Sequence, residues 1–112
     1  MARFVKGDVV VVPFPFSDLS QAKRRPALAV AELDGDDLVL CQITSQAVRD
    51  WYAVILGDQD FESGGLRQVS NVRPNRLFTA DARIILYSVG RLKPETLQAV
   101  VAKIIEILQG RR

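Results

Sequence analysis

Helical periodicity appears in one place, at the C-terminal end. In KPETLQAVVAKIIEILQG (residues 93–110), Leu97, Val100, Val101, Ile104, Ile105 and Leu108 recur at i, i+3, i+4, i+7, i+8 and i+11. That spacing draws one apolar stripe along a helix. Pro94 suits the first helical position and Gly110 the end. The stripe reads most simply as packing against the rest of the domain; a share in a dimer interface is the other reading. Everything upstream reads as short strands and turns. The expected fold class is therefore α+β, mainly β: a small antiparallel β-barrel with a C-terminal helix.

The strand signals begin with VVVVPF after Gly7-Asp8. Four valines without polar alternation predict a strand buried on both faces, and Pro13 and Pro15 end its regular pairing. FPFSDLSQAKRR is then a loop of about ten residues, long enough to suggest a functional role. Phe14 and Phe16 are core pegs at its foot or exposed stacking groups. Further strands are expected at Pro26 to Leu33, Leu38 to Thr44 and Tyr52 to Leu56, with a tight turn at Asp34 to Asp37. SQAVRDW reads as irregular and GDQDFESGG as a polar connection. LRQVSNVRP and NRLFTAD read as two short strands broken at Pro74-Asn75, and Ile84 to Val89 as a last one.

Composition narrows the chemistry. The 112 residues suit one domain, able to fold without staples. With one cysteine and no histidine, an internal disulfide and multi-cysteine metal sites are ruled out, and a zinc site is not expected. No metal and no cofactor are therefore expected. Cys41 lies in an apolar run and reads as a buried, inert thiol. A net charge of +2, with two of the positive charges on Arg111 and Arg112, permits nucleic-acid binding without requiring it. MARFVKGD lacks a signal-peptide core, and no apolar run approaches the roughly 20 residues that span a bilayer. The expected location is cytoplasmic, with no membrane partner.

The cations of QAKRRPALAV (residues 21–30) raise a sharper question. If residues 34–37 form a four-residue reversal, the second and third strands pair antiparallel. Arg25 then faces Ser45 or Gln46, and Pro26 or Ala27 faces Thr44. Neighbouring strands lie about 5 Å apart, within an arginine's reach. Along the third strand Leu38, Leu40, Gln42 and Thr44 share one face, which turns polar towards Thr44. A guanidinium, one or two hydroxyls and an amide at this rim suit an anion, phosphate best of all. The same geometry also fits a capped hairpin end with a solvated arginine.

These segments, KGDVVVVPFPFSDLSQAKRRPALAV, CQITSQ, SNVRPNRLFTAD and VGRLKPETLQAVVAKIIEIL, resemble the MazF/PemK family of toxins from type II toxin–antitoxin modules. The likeness runs in family order from Lys6 to Leu108. The resemblance implies an SH3-like barrel, a homodimer, and a metal-independent endoribonuclease that cuts single-stranded RNA at short sequences. It also implies a cognate antitoxin whose acidic, partly disordered segment occupies the RNA groove. The family's catalytic arginine precedes the proline of its RP motif, here Arg25. Its catalytic threonine or serine lies in the IT-x-Q motif, here Thr44. Ser20 matches a family serine near the RNA phosphate, and Ser45 and Gln46 complete the motif.

A chain without histidine suits that reaction, because the substrate's own 2′-OH is the nucleophile. The protein must align it, move protons and stabilise the phosphorane. Arg25 is expected to bind the non-bridging oxygens, and Thr44 the scissile phosphate. Protonation of the leaving oxygen by Arg25 is the weaker role, since a guanidinium holds its proton too tightly to be a good proton carrier. Lys23, Arg24 and Arg73 are expected as phosphate contacts that position RNA without reading it. Trp51 and Tyr52 stack on bases or pack in the core or a dimer interface. Lys23 and Arg24 replace the Gly- or Gln-rich approach found in some family members, so the cleavage sequence does not follow from the motifs. Proteins of the same fold, the CcdB-like toxins, instead poison DNA gyrase by binding it. That is the competing function; an inactive scaffold that has kept the barrel is a third reading.

Overall fold

The computed structural model of the chain describes residues 3–14 and 23–110, with Phe14 described by its backbone alone. Seven strands and one helix follow in order: β1 (Asp8–Phe14), β2 (Lys23–Glu32), β3 (Asp37–Thr44), β4 (Val54–Leu56), β5 (Phe61–Gly64), β6 (Ser70–Asp81), β7 (Tyr87–Leu92) and α1 (Pro94–Leu108). The pairings are antiparallel and give one sheet in the order β4-β6-β3-β2-β1-β7-β5. The sheet curls into a half-barrel that leaves β4 and β5 as its two edges.

β1 is buried on both faces, as four consecutive valines require. Val9 joins Leu28, Cys41, Ile43, Val72 and Val100 in one apolar cluster. Val10 and Val12 point the other way and join Ala27, Ala29, Leu38 and Leu40 in a second. The helix covers the first cluster: Val100 is fully buried, and Leu97 and Ile104 pack beside it. Burying a side chain such as Val100 is worth about 1.5–3 kcal/mol. The far end of the stripe leaves the core, with Ile105 47% and Leu108 76% exposed. Pro94 opens the helix, and the preceding turn anchors it. Lys93 N–H donates to the Asp60 carbonyl at 2.9 Å, and the Thr96 hydroxyl donates to the Asp60 carboxylate at 3.0 Å.

Several strand boundaries differ from the sequence reading, each for a local reason. β2 begins at Lys23, because Lys23, Arg24 and Arg25 pair with Phe14, Pro13 and Val12 of β1. The basic run is therefore strand and not loop. The connection 57–65 holds a 3-10 turn and β5, which pairs with β7 at the sheet edge. The last strand runs from Tyr87 to Leu92, after a 3-10 turn at Ala82–Ile84. The fourth starts only at Val54. The two segments around Pro74-Asn75 form one strand whose register jumps, from Ile43↔Val72 to Cys41↔Leu77. Proline cannot donate to the ladder; beside it, the Cys41 thiol takes up the Arg73 carbonyl at 2.8 Å.

Candidate anion-binding groove

The second cluster continues into a groove. On β2, Arg25 lies two and four residues from Ala27 and Ala29, on their face of the strand. On β3, Gln42 and Thr44 extend the face of Leu38 and Leu40 in the same way. The apolar face thus turns polar at one end of the sheet, as the alternation in β3 predicts. The register there is Ala27↔Gln42 and, across β1, Val12↔Arg25. Continued two residues beyond the last paired position, the same register sets Arg25 level with Thr44. The sequence reading had Arg25 facing Ser45 or Gln46. That offset matches Ala31↔Val39 near the turn, but a bulge between Ala29 and Ala31 shifts the pairing by one towards the groove. A bulge adds one unpaired residue to one strand, here Val30, and so brings Thr44 to Arg25 itself.

The groove has a volume of about 620 Å³. Val12, Ala27 and Phe78 form its apolar floor, and Arg24, Arg25, Thr44, Ser45 and Gln46 stand along one side. Leu66, Arg67, Gln68 and Ser70 close it from the segment after β5. Its described lining residues include three arginines, three glutamines, three hydroxyls and no carboxylate, histidine or cysteine. Such a lining attracts anions, offers forked donors to phosphate and lacks a metal-ligand set. Thr44 is half-buried, and its oxygen accepts the Gln46 backbone N–H at 3.1 Å. That bond leaves the hydroxyl proton free to donate into the groove.

Five of the residues singled out in the sequence meet here: Arg24, Arg25, Thr44, Ser45 and Gln46. Lys23 is exposed at the outer end of β2, opposite Phe14, and is not among the described lining residues. Arg73 lies elsewhere. Its guanidinium is paired with Asp50 at 3.3 Å and is mostly buried, so it faces a protein carboxylate. Ser20 and Phe16 lie outside the described residues. Trp51 and Tyr52 contact each other edge-on, with centroids 5.2 Å apart, and Lys103 of α1 sits 5.0 Å over the Trp51 ring. They pack towards the helix and are not among the described lining residues of the groove. Arg67 and Gln68 were not singled out in the sequence, where they open the segment LRQVSNVRP read as a short strand; they reach the groove only through long-range folding.

Among the described residues no helix is long and apolar enough to cross a membrane. The fold has close relatives in shape. MazF from Deinococcus radiodurans superposes with a TM-score of 0.77 at 20% identity, over 97% of this chain and 99% of that one. A MazE–MazF complex from the same organism gives 0.76 at 21% identity, over 99% and 100%. An endoribonuclease from a Mycobacterial species gives 0.73 at 17% identity, over 99% and 95%. At these identities the likeness establishes the fold. No curated protein matches the sequence. Residues 5–108 match the family described as PemK-like, MazF-like toxins of type II toxin–antitoxin systems, and the chain belongs to that family.

Proposed function

We propose that this toxin is a metal-independent endoribonuclease that cuts single-stranded RNA and so blocks translation and growth. The observation that carries the reading is the groove in which Arg25 and Thr44 lie level on adjacent strands, among cations and hydroxyls with no carboxylate in the described lining. The substrate's 2′-hydroxyl gives up its proton as its oxygen bonds to the adjacent phosphorus, the P–O5′ bond breaks, and the 5′-oxygen takes up a proton, so the net proton count is unchanged. The products are a 2′,3′-cyclic phosphate and a free 5′-hydroxyl. Arg25 offers a planar fork to the non-bridging oxygens as they gain charge. Thr44 donates its free proton to the same phosphate and holds it for in-line attack. Arg24, Arg67, Ser45 and Gln46 bind flanking phosphates and bases.

The chain works as a homodimer in the cytoplasm, under the control of a cognate antitoxin. An acidic antitoxin segment would compete with RNA for the same groove by charge; the Deinococcus radiodurans neighbour is itself a MazE–MazF complex. Incubating the pure protein with a long single-stranded RNA in excess EDTA tests the reading. Discrete fragments with cyclic-phosphate ends are expected. Intact RNA together with gyrase-dependent DNA breaks would replace the nuclease by a gyrase poison.

A further inference from the structure

Thr44 is the last residue of β3, and the chain beyond it has no strand partner to hold it. Its hydroxyl is oriented by the Gln46 N–H, in the irregular segment that follows. Strand ends of this kind fray unless a side chain ties them down. Here one does. Asn71 pairs with Thr44 across β3 and β6 and also with Ile55 of β4, so its backbone is held from both sides. Its Nδ2 donates to the Gln46 carbonyl at 3.1 Å. Gln46 is thus anchored at both its polar groups: its carbonyl by Asn71, its N–H on the Thr44 oxygen.

We propose that Asn71 is a positioning residue for the Thr44 hydroxyl, acting through the main chain of Gln46. The claim rests on the proposed role of Thr44 in RNA cleavage, but its structural half stands apart from that role. Asn71 is not among the described groove-lining residues; its side-chain amide reaches the site through Gln46, and its backbone through the pairing with Thr44. With the Asn71 amide in place, Thr44 keeps one rotamer, with its acceptor side engaged and its proton turned to the phosphate. Without it, the segment after Thr44 loosens, and the hydroxyl spends much of its time misdirected. Small misplacements of a reacting group cost rate steeply.

The test compares Asn71→Leu, which keeps the volume and removes the donor, with Asn71→Gln, which keeps a donor on a longer arm. Asn71→Leu is expected to lower kcat on single-stranded RNA by about tenfold, with KM within about twofold of wild type and Tm nearly unchanged. Asn71→Gln is expected to recover part of kcat. The three-bond couplings of the Thr44 side chain, measured by NMR, should move from one rotamer to an average in Asn71→Leu. Unchanged kcat in Asn71→Leu, or a loss that tracks a fall in Tm, would overturn the proposal. So would unaltered Thr44 couplings. If wild type cuts no RNA, the nuclease reading fails, and the couplings alone decide whether Asn71 positions Thr44.

Discussion

Arg25 of β2 and Thr44 of β3 line the same groove and stand level across adjacent antiparallel strands, at the point where an apolar face of the sheet turns polar. Arg25 is exposed and lies at the edge of the packed face, so the fold does not lean on its side chain. Arg25→Ala should therefore leave Tm within about 2 °C of wild type. RNA cleavage should fall by at least about 100-fold, the scale of removing one preorganised donor to a developing oxyanion. Arg25→Lys should recover little, because an ammonium cannot reproduce the planar fork. Cleavage assays beside thermal melts check this, and an Arg25→Ala protein cutting at the wild-type rate would move the site elsewhere.

The other cations divide by position. Arg24 and Arg67 line the groove, whereas Lys23 is exposed outside its described lining. For single-stranded RNA each lost phosphate contact lowers the slope of log K against log salt by about 0.7. Arg24→Ala and Arg67→Ala should each show that decrement, and Lys23→Ala a smaller one, with cleavage at saturating RNA retained in all three. Titrations at several salt concentrations measure the slopes. Total loss of cleavage in Arg24→Ala would remove the distinction between Arg25 and its neighbours.

Arg73 should behave as a structural residue. Its side chain is 24% exposed and pairs with Asp50, whose side chain is 18% exposed. Its Nε is buried and finds no hydrogen-bond partner among the described residues, so the Asp50 contact carries the burden of holding the charge. Arg73→Ala leaves Asp50 mostly buried without its cation. A loss of about 1.5–3 kcal/mol is expected in denaturant unfolding. The salt slope for RNA should not change.

Cys41 is fully buried between the sheet and the helix, and burial pushes its thiol up from 9.0 to about 12, against a smaller lowering by the Arg73 backbone. In the native protein the thiol stays protonated well above pH 9; in the unfolded chain it ionises near that value. Between the two the unfolded state binds fewer protons, so stability is fully present below pH 9 and falls as pH rises. The expected slope from this one group is about 1.4 kcal/mol per pH unit. Cys41→Ala should flatten that limb while lowering stability at neutral pH by its lost packing. Unfolding free energies between pH 8 and 11 decide it, and an unchanged alkaline limb in Cys41→Ala would assign the slope to other groups.

Local pattern made much of this legible. Four valines announced a strand buried on both sides, and the 3.6-residue stripe with Pro94 and Gly110 gave the helix almost to its ends. The hairpin around residues 34–37 brought Arg25 near Thr44 from the turn alone. The one-residue error came from a bulge at Val30, which the twist of the assembled sheet sets and no local signal marks. The Arg73–Asp50 pair is not legible in the sequence, because an arginine beside a proline in a polar stretch looks like a surface cation. The partner Asp50 lies in an irregular segment far away in sequence. β5 was missed because only Phe61 of its four residues is buried, leaving no alternation to detect.

What holds β5 in place is a close approach of two backbones at Gly64 and Gly90, paired across β5 and β7. A Cβ on Gly64 would sit 2.1 Å from the Val89 carbonyl oxygen and 2.6 Å from the Gly90 Cα, and Gly64 has φ +67°. Gly35, in the β2–β3 turn, has a similar φ of +74° but open space around it. The pair therefore separates backbone strain from collision. Gly35→Ala carries only the left-handed penalty of about 1–2 kcal/mol. Gly64→Ala carries that penalty and must also push β5 off β7, so it should cost clearly more. It should also release the amides of β5 to hydrogen exchange before the rest of the sheet. Chemical denaturation gives the first comparison and native-state exchange the second. Equal costs at the two glycines would mean that β5 shifts aside freely and that its pairing with β7 contributes little to stability.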